Sequence, residues 1–490
     1  MRRLAAISGL LVLLTACAAD PTPAPATPPP PPPVIAFEPY EFAAGNGTKV
    51  DAERGTFQVR EDRTDPDSRL INLSFVRFKS TSPNPGPPII YLAGGPGGSG
   101  TGTARGSRFS LFMALRDVAD VIAFDQRGTG LSQRPPVCVV TDAPGAEEPL
   151  TRNSIVAFYR TELARCFDWW VAQGVAIDAY TTLENANDIE DLRRALGVEK
   201  VNLWGISYGS HLGLAMLKYH PDSVARAVLA GIEGLDETVK LPSENDAYFA
   251  RVQAVIDADP AAKAAFPDLA ALMRRVHARL NATPASVSIT PSGVPAPVTV
   301  TFDGFAVQLL ASGMISDPFS VRRLPLFYAA LDAGQYTQAA QLLYGQFLAR
   351  PPTFTGMPEA MDLASGVTPQ RMARLEKEFA TAILGDTLNF PMPHVAGIRP
   401  KIDLGDSFRA PFRSSVPTLF ISGTLDGRTY PAEAAVTVAG FSNGARLIVE
   451  NGGHNIYEAD PRIGEAVVAW FKGESVPATI RFDPPKIATP

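Results

Sequence analysis

Cysteine, basic clusters and long apolar runs are all scarce in this chain of 490 residues. The formal net charge is −6 and no cluster of basic residues stands out, so we expect no nucleic-acid partner. Beyond the N-terminal segment, no stretch is long and apolar enough to cross a bilayer. Because 46% of the residues are hydrophobic, the chain can instead form one large core with a substantial insertion, or two to three ordinary domains.

Residues 1–17 have the composition of an export signal. Arg2 and Arg3 precede an apolar run over residues 4–14, which is too short for a membrane span. The Leu-Thr-Ala-Cys ending resembles the cleavage box of bacterial lipoproteins, which would make Cys17 the lipidated first residue; a plain secretory signal cut near residue 16 or 19 is the alternative. We expect an exported protein of the cell envelope, periplasmic or on the outer surface, that contacts the membrane only through this anchor.

Residues 18–36 are predicted to form a linker, since residues 21–33 are almost entirely proline, alanine and threonine. This composition favours an extended, semi-rigid spacer. Export also bears on the two remaining cysteines, Cys138 and Cys166. In an oxidising compartment, an isolated pair is expected to form a disulfide rather than a metal site.

The order of apolar segments predicts an α/β fold with a mostly parallel sheet flanked by helices. Alternating apolar and polar residues at 56–59 and 70–78 are typical of half-buried antiparallel strands. Continuous apolar runs suit parallel strands covered on both faces; they lie at 89–93, 118–124, 201–203, 227–230, 418–421 and 446–449. Helical periodicity lies between them at 183–196 and 210–219, and the last helix is predicted at 463–471.

A long interruption of this pattern predicts a mainly helical cap inserted into the sheet. Between about residues 235 and 411 the helix-like segments are 243–258, 261–280, 320–348 and 368–384, with one β-like stretch at 287–302. We therefore divide the rest of the chain into a core of residues 37–234 and 412–476 and a C-terminal tail of residues 477–490.

The segment Gly205-Ile-Ser-Tyr-Gly209 has the pattern of a nucleophile elbow, with an apolar strand before it and a helix after it. The glycines two residues before and after Ser207 permit a turn tight enough to hold its hydroxyl clear of the main chain. The helix that follows would direct its N–H groups towards a developing oxyanion. Ser207 is therefore the candidate nucleophile.

A serine nucleophile needs a base and an acid that orients this base, and in this fold they follow in the order Ser, Asp or Glu, His. Asp426 follows the predicted strand at 418–421, and His454 follows the strand at 446–449. Both lie at carboxyl ends of strands, where active-site loops of α/β sheets meet. Taken singly, Asp426 could only start a turn and His454 could be a polar loop residue. Their order and position together predict the triad Ser207, Asp426 and His454.

Glycine-rich turns follow two other predicted strands. Main-chain N–H groups of Gly94 or Gly95, with that of Tyr208, are the candidate oxyanion donors. The rival interpretation, a phosphate-binding loop, lacks the Gly-Lys-Ser/Thr ending, and Pro96 breaks the dinucleotide spacing. In the second turn, Asp125 and Arg127 are expected to tie neighbouring turns together rather than to act in catalysis.

These motifs together resemble the prolyl aminopeptidase and tripeptidyl aminopeptidase group of α/β-hydrolases. The resemblance rests on Gly-Gly-Pro-Gly-Gly at 94–98, Asp-Gln-Arg-Gly-Thr-Gly-Leu-Ser at 125–132, the elbow, Asp426 and His454. One departure is Ala93, where that group usually has histidine; tripeptidyl relatives also vary there. The resemblance implies acidic residues that bind the free amino end of a peptide, for which Glu233, Asp236 and Glu237 are candidates, with simple surface solvation as the alternative.

The sequence thus predicts an exported serine aminopeptidase, prolyl or tripeptidyl in type, that cleaves short peptides without a metal or organic cofactor. Two alternatives stay open. An esterase or lactonase would use the same triad, because the triad sets the reaction and the cap sets the substrate. A surface lipoprotein could also use an inert hydrolase fold to bind a ligand.

Overall fold

The structure is a computed structural model that describes residues 31–140 and 148–490. Its strands are β1 (Ala36–Ala43), β2 (Lys49–Arg60), β3 (Leu70–Phe78), β4 (Ile89–Leu92), β5 (Val121–Asp125), β6 (Cys138–Val139), β7 (Val201–Ile206), β8 (Val224–Ala230), β9 (Ala285–Ile289), β10 (Val298–Phe302), β11 (Thr353–Phe354), β12 (Thr418–Gly423), β13 (Gly444–Glu450) and β14 (Thr479–Arg481). The predicted lipidation site, Cys17, and the signal segment lie outside the described residues.

The α-helices fall between these strands. They are α1 (Gly100–Arg105), α2 (Phe109–Leu115), α3 (Arg152–Ala172), α4 (Thr182–Ala195), α5 (Tyr208–Tyr219), α6 (Pro242–Ala258), α7 (Pro260–Ala265), α8 (Leu269–Ala282), α9 (Gly304–Met314), α10 (Pro318–Val321), α11 (Leu324–Asp332), α12 (Thr337–Leu343), α13 (Met357–Ser365), α14 (Pro369–Phe379), α15 (Gly405–Arg409), α16 (Pro431–Val438) and α17 (Pro461–Lys472). No helix within the described ranges has the length and apolar character of a bilayer span.

Ten strands form one sheet in the order β1-β2-β3-β5-β4-β7-β8-β12-β13-β14. The first three pairs, β1–β2, β2–β3 and β3–β5, are antiparallel, whereas every pair from β5 to β14 is parallel. The expectation of a mostly parallel sheet preceded by antiparallel strands is confirmed. The parallel order brings the carboxyl ends of β4, β5, β7, β12 and β13 to one edge, where the candidate residues follow.

Both faces of the sheet are covered, which explains the continuous apolar runs. Along β4, Ile90 and Leu92 pack into one hydrophobic cluster, while Ile89 and Tyr91 pack into the cluster on the opposite face. Alternate residues of a strand point to opposite faces, so a strand buried on both faces has no polar alternation.

The chain between β8 and β12 forms the helical insertion that the sequence predicts. It contains α6 to α15 with the short pairs that involve β9, β10 and β11, and it has its own hydrophobic cluster, which includes Tyr248, Val276 and Tyr328. Leu150 and Ile155 of the preceding core segment also pack into this cluster, so the cap is not built from its own residues alone.

The structure differs from the sequence prediction at several elements. The helix expected over residues 261–280 is two helices, because Pro267 interrupts it and Asp268 caps α8 by accepting from the N–H of Ala271. The segment 320–348 is likewise several short helices, and Gly334, two residues after the end of α11, has a φ of +80°. The tail expected from residue 477 contributes β14 to the sheet, a strand of three residues that periodicity cannot detect.

Candidate active site

Ser207 lies in the turn between β7 and α5, with φ and ψ angles of 56° and −129°. Few residues other than glycine adopt a positive φ, and such strain is held only where neighbouring groups fix it. Here the N–H of Ser207 donates to the carbonyl of Ala230, 3.0 Å away. Its carbonyl accepts from the hydroxyl of Ser210 at 2.6 Å. The main chain of the elbow is therefore held from both sides.

The second glycine of the elbow is required by close packing. A Cβ atom at Gly209 would lie 2.0 Å from the carbonyl oxygen of Leu92 at the end of β4. No side chain can occupy that space, so the first turn of α5 packs directly against the neighbouring strand. This contact brings the elbow next to the glycine-rich turn after β4.

Asp426 and His454 meet although 28 residues separate them. His454 Nδ1 donates to Asp426 Oδ2 at 2.9 Å, which leaves Nε2 as the other ring nitrogen. Burial disfavours the charged form of Asp426, but His454 and the Thr429 hydroxyl outweigh it and hold the pKa of Asp426 below its usual value. A Cβ atom built on Gly231 would lie 3.3 Å from the His454 ring. The imidazole thus packs beside the strand end whose Ala230 carbonyl anchors Ser207.

The candidate oxyanion donors lie against the nucleophile. A Cβ atom at Gly94 would approach Ser207 Cβ to 3.1 Å and the Ile206 carbonyl oxygen to 2.9 Å. The N–H of Tyr208 is the first of α5, and the first N–H groups of a helix have no partner within the helix. Gly95, with a φ of +126°, lines the same cavity as Gly94 and Ser207.

Asp125, the last residue of β5, ties neighbouring turns together. Asp125 accepts from the hydroxyls of Ser99 and Thr101 and from the N–H of Leu131, at 2.6 to 2.8 Å. It therefore joins the glycine-rich turn to its own loop. Arg127 is fully buried and forms an ion pair with Asp188 at 2.7 Å, away from the nucleophile.

Ser207 and His454 line one cavity of about 650 Å³ between the sheet edge and the cap. The cap contributes side chains from α9 and from the segments after α9 and α12, which are Leu309, Leu310, Ser312, Gly313, Ser316 and Gln346. The cap also touches the histidine loop: the N–H of His454 donates to the Ser316 carbonyl at 2.8 Å, and the N–H of Asn455 donates to Asp317 at 3.0 Å. The position of the imidazole therefore depends on the cap.

The three acidic candidates for amine binding lie in different surroundings. Glu233 is buried, lines the cavity and forms an ion pair with Lys240 at 3.0 Å. Asp236 accepts from Thr368 at the start of α14. Glu237 does not line this cavity; it accepts from the N–H of Gly234 at 2.8 Å and borders a separate one. Of the three, the structure brings only Glu233 to the candidate site.

Several charged residues near the site were not predicted from sequence. Lys240 and Arg428 line the cavity, and Asp362 of α13 lies near Glu233. Burial and the Glu233 carboxylate raise the pKa of Asp362 to about 7. Arg428 follows Asp426 closely and was detectable as part of that loop, whereas Lys240 and Asp362 reach the site only through the fold of the cap.

The structure joins Cys138 of β6 and Cys166 of α3 in a disulfide bond, the pair expected for an exported chain. The bond links the short β6–β11 pair to α3, because β11 pairs with β6. It lies apart from the cavity that Ser207 lines. We therefore treat it as a structural feature.

Comparison with known proteins agrees with the fold. A family model described as the alpha/beta hydrolase fold matches residues 87–461. A tripeptidyl aminopeptidase from Streptomyces coelicolor is 32% identical over 228 residues, which cover 44% of this chain and 39% of that protein. A serine protease of Mycobacterium tuberculosis is 32% identical over 36% of this chain and 35% of its own length.

A third relative, a proline iminopeptidase from Neisseria meningitidis, is 32% identical over 152 residues, which cover 31% of this chain and 34% of that protein. The chain thus aligns with 39% or less of the length of each of these three relatives.

Proposed function

The chain belongs to the alpha/beta hydrolase fold family, and from this premise we propose that it is an exported serine hydrolase that removes residues from the N-terminus of short peptides. The observation that carries the proposal is the hydrogen bond of 2.9 Å from His454 Nδ1 to Asp426 Oδ2, in a cavity that Ser207 also lines. The names of the relatives, which include an aminopeptidase and a serine protease, support a peptide substrate.

In the proposed reaction, His454 accepts the proton of the Ser207 hydroxyl as Ser207 Oγ attacks the carbonyl carbon of the scissile bond. Asp426 holds the ring so that Nε2 is the basic nitrogen, and it stabilises the imidazolium that forms. The N–H groups of Tyr208 and of Gly94 or Gly95 bind the negative oxygen. His454 then protonates the leaving amine. Water attacks the acyl-enzyme while His454 accepts its proton, and His454 returns this proton to Ser207 as the acyl group leaves.

We assign the free amino group of the substrate to Glu233. A buried carboxylate in the cavity wall is suited to an ammonium group, since burial strengthens the pairing of opposite charges. In the structure the ammonium group of Lys240 forms an ion pair with this carboxylate. The substrate amine would therefore have to compete with Lys240 for Glu233. Asp362 lies near Glu233 and would add negative charge above its pKa of about 7.

Export and lipidation are part of the proposal and rest on the sequence of residues 1–17. The disulfide between Cys138 and Cys166 supports an oxidising compartment. Lipidation of Cys17 can be tested by expressing wild type and Cys17→Ala in a bacterial host and following the membrane fraction. A wild-type protein that stays soluble in the periplasm would argue for a plain secretory signal instead.

The peptidase proposal is tested with matched substrates. We expect hydrolysis of aminoacyl and tripeptidyl fluorogenic amides, loss of most of this activity when the amino group is acetylated, and only slow turnover of simple esters. A preference for esters that ignores the amino group would favour the esterase or lactonase.

A second measurement separates an active enzyme from an inert fold. A fluorophosphonate probe should label wild type and fail to label Ser207→Ala, while circular dichroism shows that both are folded. A wild-type protein that resists labelling would support a ligand-binding lipoprotein. Undiminished turnover in Ser207→Ala would disprove the assignment of the nucleophile.

A further inference from the structure

The charges on the wall of the active-site cavity do not balance. Besides His454, the charged residues that line the cavity are Arg108, Glu233, Lys240 and Arg428. Arg108 forms an ion pair with Glu458 at 3.1 Å, and Lys240 forms one with Glu233 at 3.0 Å. Each of these two cations therefore has its own carboxylate, and only Arg428 remains to be accounted for.

Arg428 has no ion pair within the part of the chain that the structure describes. Its side chain makes one long hydrogen bond, from Nη1 to the carbonyl of Ser312 at 3.4 Å. A guanidinium has five N–H donors in a fixed planar fork, so most of its bonding capacity is unused here. A cation that is partly withdrawn from water gains from an anionic partner, because solvent no longer compensates its charge fully.

The main chain of Arg428 is fixed beside the candidate triad. Its N–H donates to Asp426 Oδ1 at 2.7 Å, and the next residue, Thr429, donates to the same oxygen at 2.9 Å. The side chain thus projects into the cavity from the loop that carries the triad acid. Replacing the side chain leaves the main-chain donor in place, so Arg428 can be altered without removing that hydrogen bond.

Asp362 is a carboxyl on which Arg428 acts electrostatically, since the positive charge of Arg428 lowers the pKa of Asp362. The two side chains do not form an ion pair, and burial with the nearby Glu233 raises the pKa of Asp362 to about 7. Asp362 therefore does not serve as an ion-pair partner for Arg428.

We propose that Arg428 binds a carboxylate of the substrate and gives this enzyme a preference for peptides that carry a negative charge. The carboxylate could belong to an acidic side chain or to the C-terminus of a short peptide, since both offer the same pair of oxygens to a guanidinium. The identity of the substrate as a peptide rests on the proposed function, whereas the carboxylate site rests on the cavity wall alone.

The test compares charged peptides with neutral peptides of the same shape. Short peptide amides with Glu at each position in turn are paired with the same peptides containing Gln, and one peptide is used both as the free acid and as the amide. For wild type, we expect kcat/KM to favour one carboxylate-bearing member by about ten- to a hundredfold, the range of a charge-assisted hydrogen bond. The Glu series and the free acid distinguish the two sources of the carboxylate.

Variants assign this preference to Arg428. We expect Arg428→Gln to bring the ratio of charged to neutral peptide close to one and Arg428→Lys to keep part of it, because lysine retains the charge but not the fork. Arg446→Gln removes an exposed arginine from β13, outside the cavity, and should keep the wild-type ratio. A wild-type ratio near one, or an unchanged ratio in Arg428→Gln, would overturn the proposal.

Binding measurements keep this test separate from the proposed function. Calorimetric titration of the same peptide pairs into Ser207→Ala and into Ser207→Ala/Arg428→Gln requires no turnover. If wild type cleaves none of the peptides, the peptidase proposal fails, while tighter binding of charged peptides that depends on Arg428 would still support the carboxylate site. Equal binding of charged and neutral peptides would refute the site even if the peptides are cleaved.

Discussion

At the scale of single residues, the Asp426 carboxylate accepts four hydrogen bonds, and these hold it in place beside His454. Oδ1 accepts from the N–H groups of Arg428 and Thr429, and Oδ2 accepts from the Thr429 hydroxyl and His454. All four partners are donors. An asparagine has only one acceptor oxygen, so its NH₂ group would have to face donors or force His454 into the other tautomer.

We therefore expect Asp426→Asn to lower kcat by about three to four orders of magnitude without unfolding the protein. Steady-state kinetics and thermal unfolding measure the two effects. Asp303→Asn is the matched control, because Asp303 caps α9 by accepting from the N–H of Ala306 and does not line the cavity. Its kcat should stay within about twofold of wild type, and an Asp426→Asn enzyme with a tenth of normal activity would contradict the proposed role.

Glu237, which the sequence offered as an amine-binding residue, has a different property. Burial and the nearby Glu433 carboxyl raise its pKa to about 8, from an ordinary value of 4.5. The folded protein therefore retains this proton between about pH 4.5 and pH 8, while the unfolded chain releases it. The resulting contribution to stability is present at low pH and is lost as the pH rises through 8.

We expect Glu237→Gln to become more stable relative to wild type as the pH rises, by about 1 to 3 kcal/mol in the free energy of unfolding between pH 5 and pH 8. Glutamine keeps an acceptor for the N–H of Gly234 but cannot ionise. Denaturant titrations at both values measure the difference. Glu465→Gln, at an exposed position of α17, should follow wild type at both pH values. A difference for Glu237→Gln that does not change with pH would refute the raised pKa.

At the scale of elements, the contact between α5 and β4 is the most restrictive in the site. We expect Gly209→Ala to destabilise the protein by about 3 kcal/mol or more, because its Cβ would lie 2.0 Å from a main-chain oxygen that cannot move independently. Gly464→Ala in α17 is the control, since its Cβ would make an ordinary contact of 3.5 Å with Leu111. The free energy of unfolding of that variant should exceed that of wild type by no more than about 1 kcal/mol. Thermal unfolding distinguishes the two, and equal midpoints would contradict this account.

The elements that the sequence predicted share one property. In each of them, the pattern of apolar residues along the chain follows directly from which faces are buried. The strands buried on both faces appear as continuous apolar runs, and β3 spans the residues predicted for it. By contrast β1 was missed, because this edge strand is largely exposed and contains Pro39. Helix α3 has apolar residues distributed around its circumference with little periodicity, so its 21 residues gave no helical signal.

The same distinction applies to the candidate site. Ser207, Asp426 and His454 were predicted because each follows a strand in a recognisable local motif. Lys240 and Asp362 belong to segments of the cap that have no motif, and they approach Glu233 only after the cap has folded over the sheet edge. Sequence alone could therefore indicate the candidate triad but not the charged residues that the cap places near it.

At the scale of the whole molecule, the cap and the sheet are joined at the site itself. Ser316 and Asp317, which follow α9, accept hydrogen bonds from the main chain of His454 and Asn455. The segment after α9 therefore contacts the histidine loop directly, while α9 itself lines the cavity.

The disulfide joins two core segments, one of which pairs with a strand of the cap. Cys138 lies in β6, which pairs with β11 just before α13 of the cap, and Cys166 lies in α3. The bond closes a segment with a sequence separation of 28 residues, for which loop-closure entropy predicts about 3 kcal/mol. We expect Cys138→Ala/Cys166→Ala to lose roughly this amount in the free energy of unfolding while kcat changes little, because neither cysteine lines the cavity.

Chemical unfolding of wild type with and without a reducing agent provides the matched control for this last prediction. Reduced wild type should approach the stability of the double variant, and the reducing agent should not affect the double variant itself, since no other cysteine lies in the described residues. Equal stability of all three proteins would mean that the bond contributes nothing to the fold. A loss of kcat as large as that expected for Asp426→Asn would instead mean that β6 and α3 hold the cap in its active position.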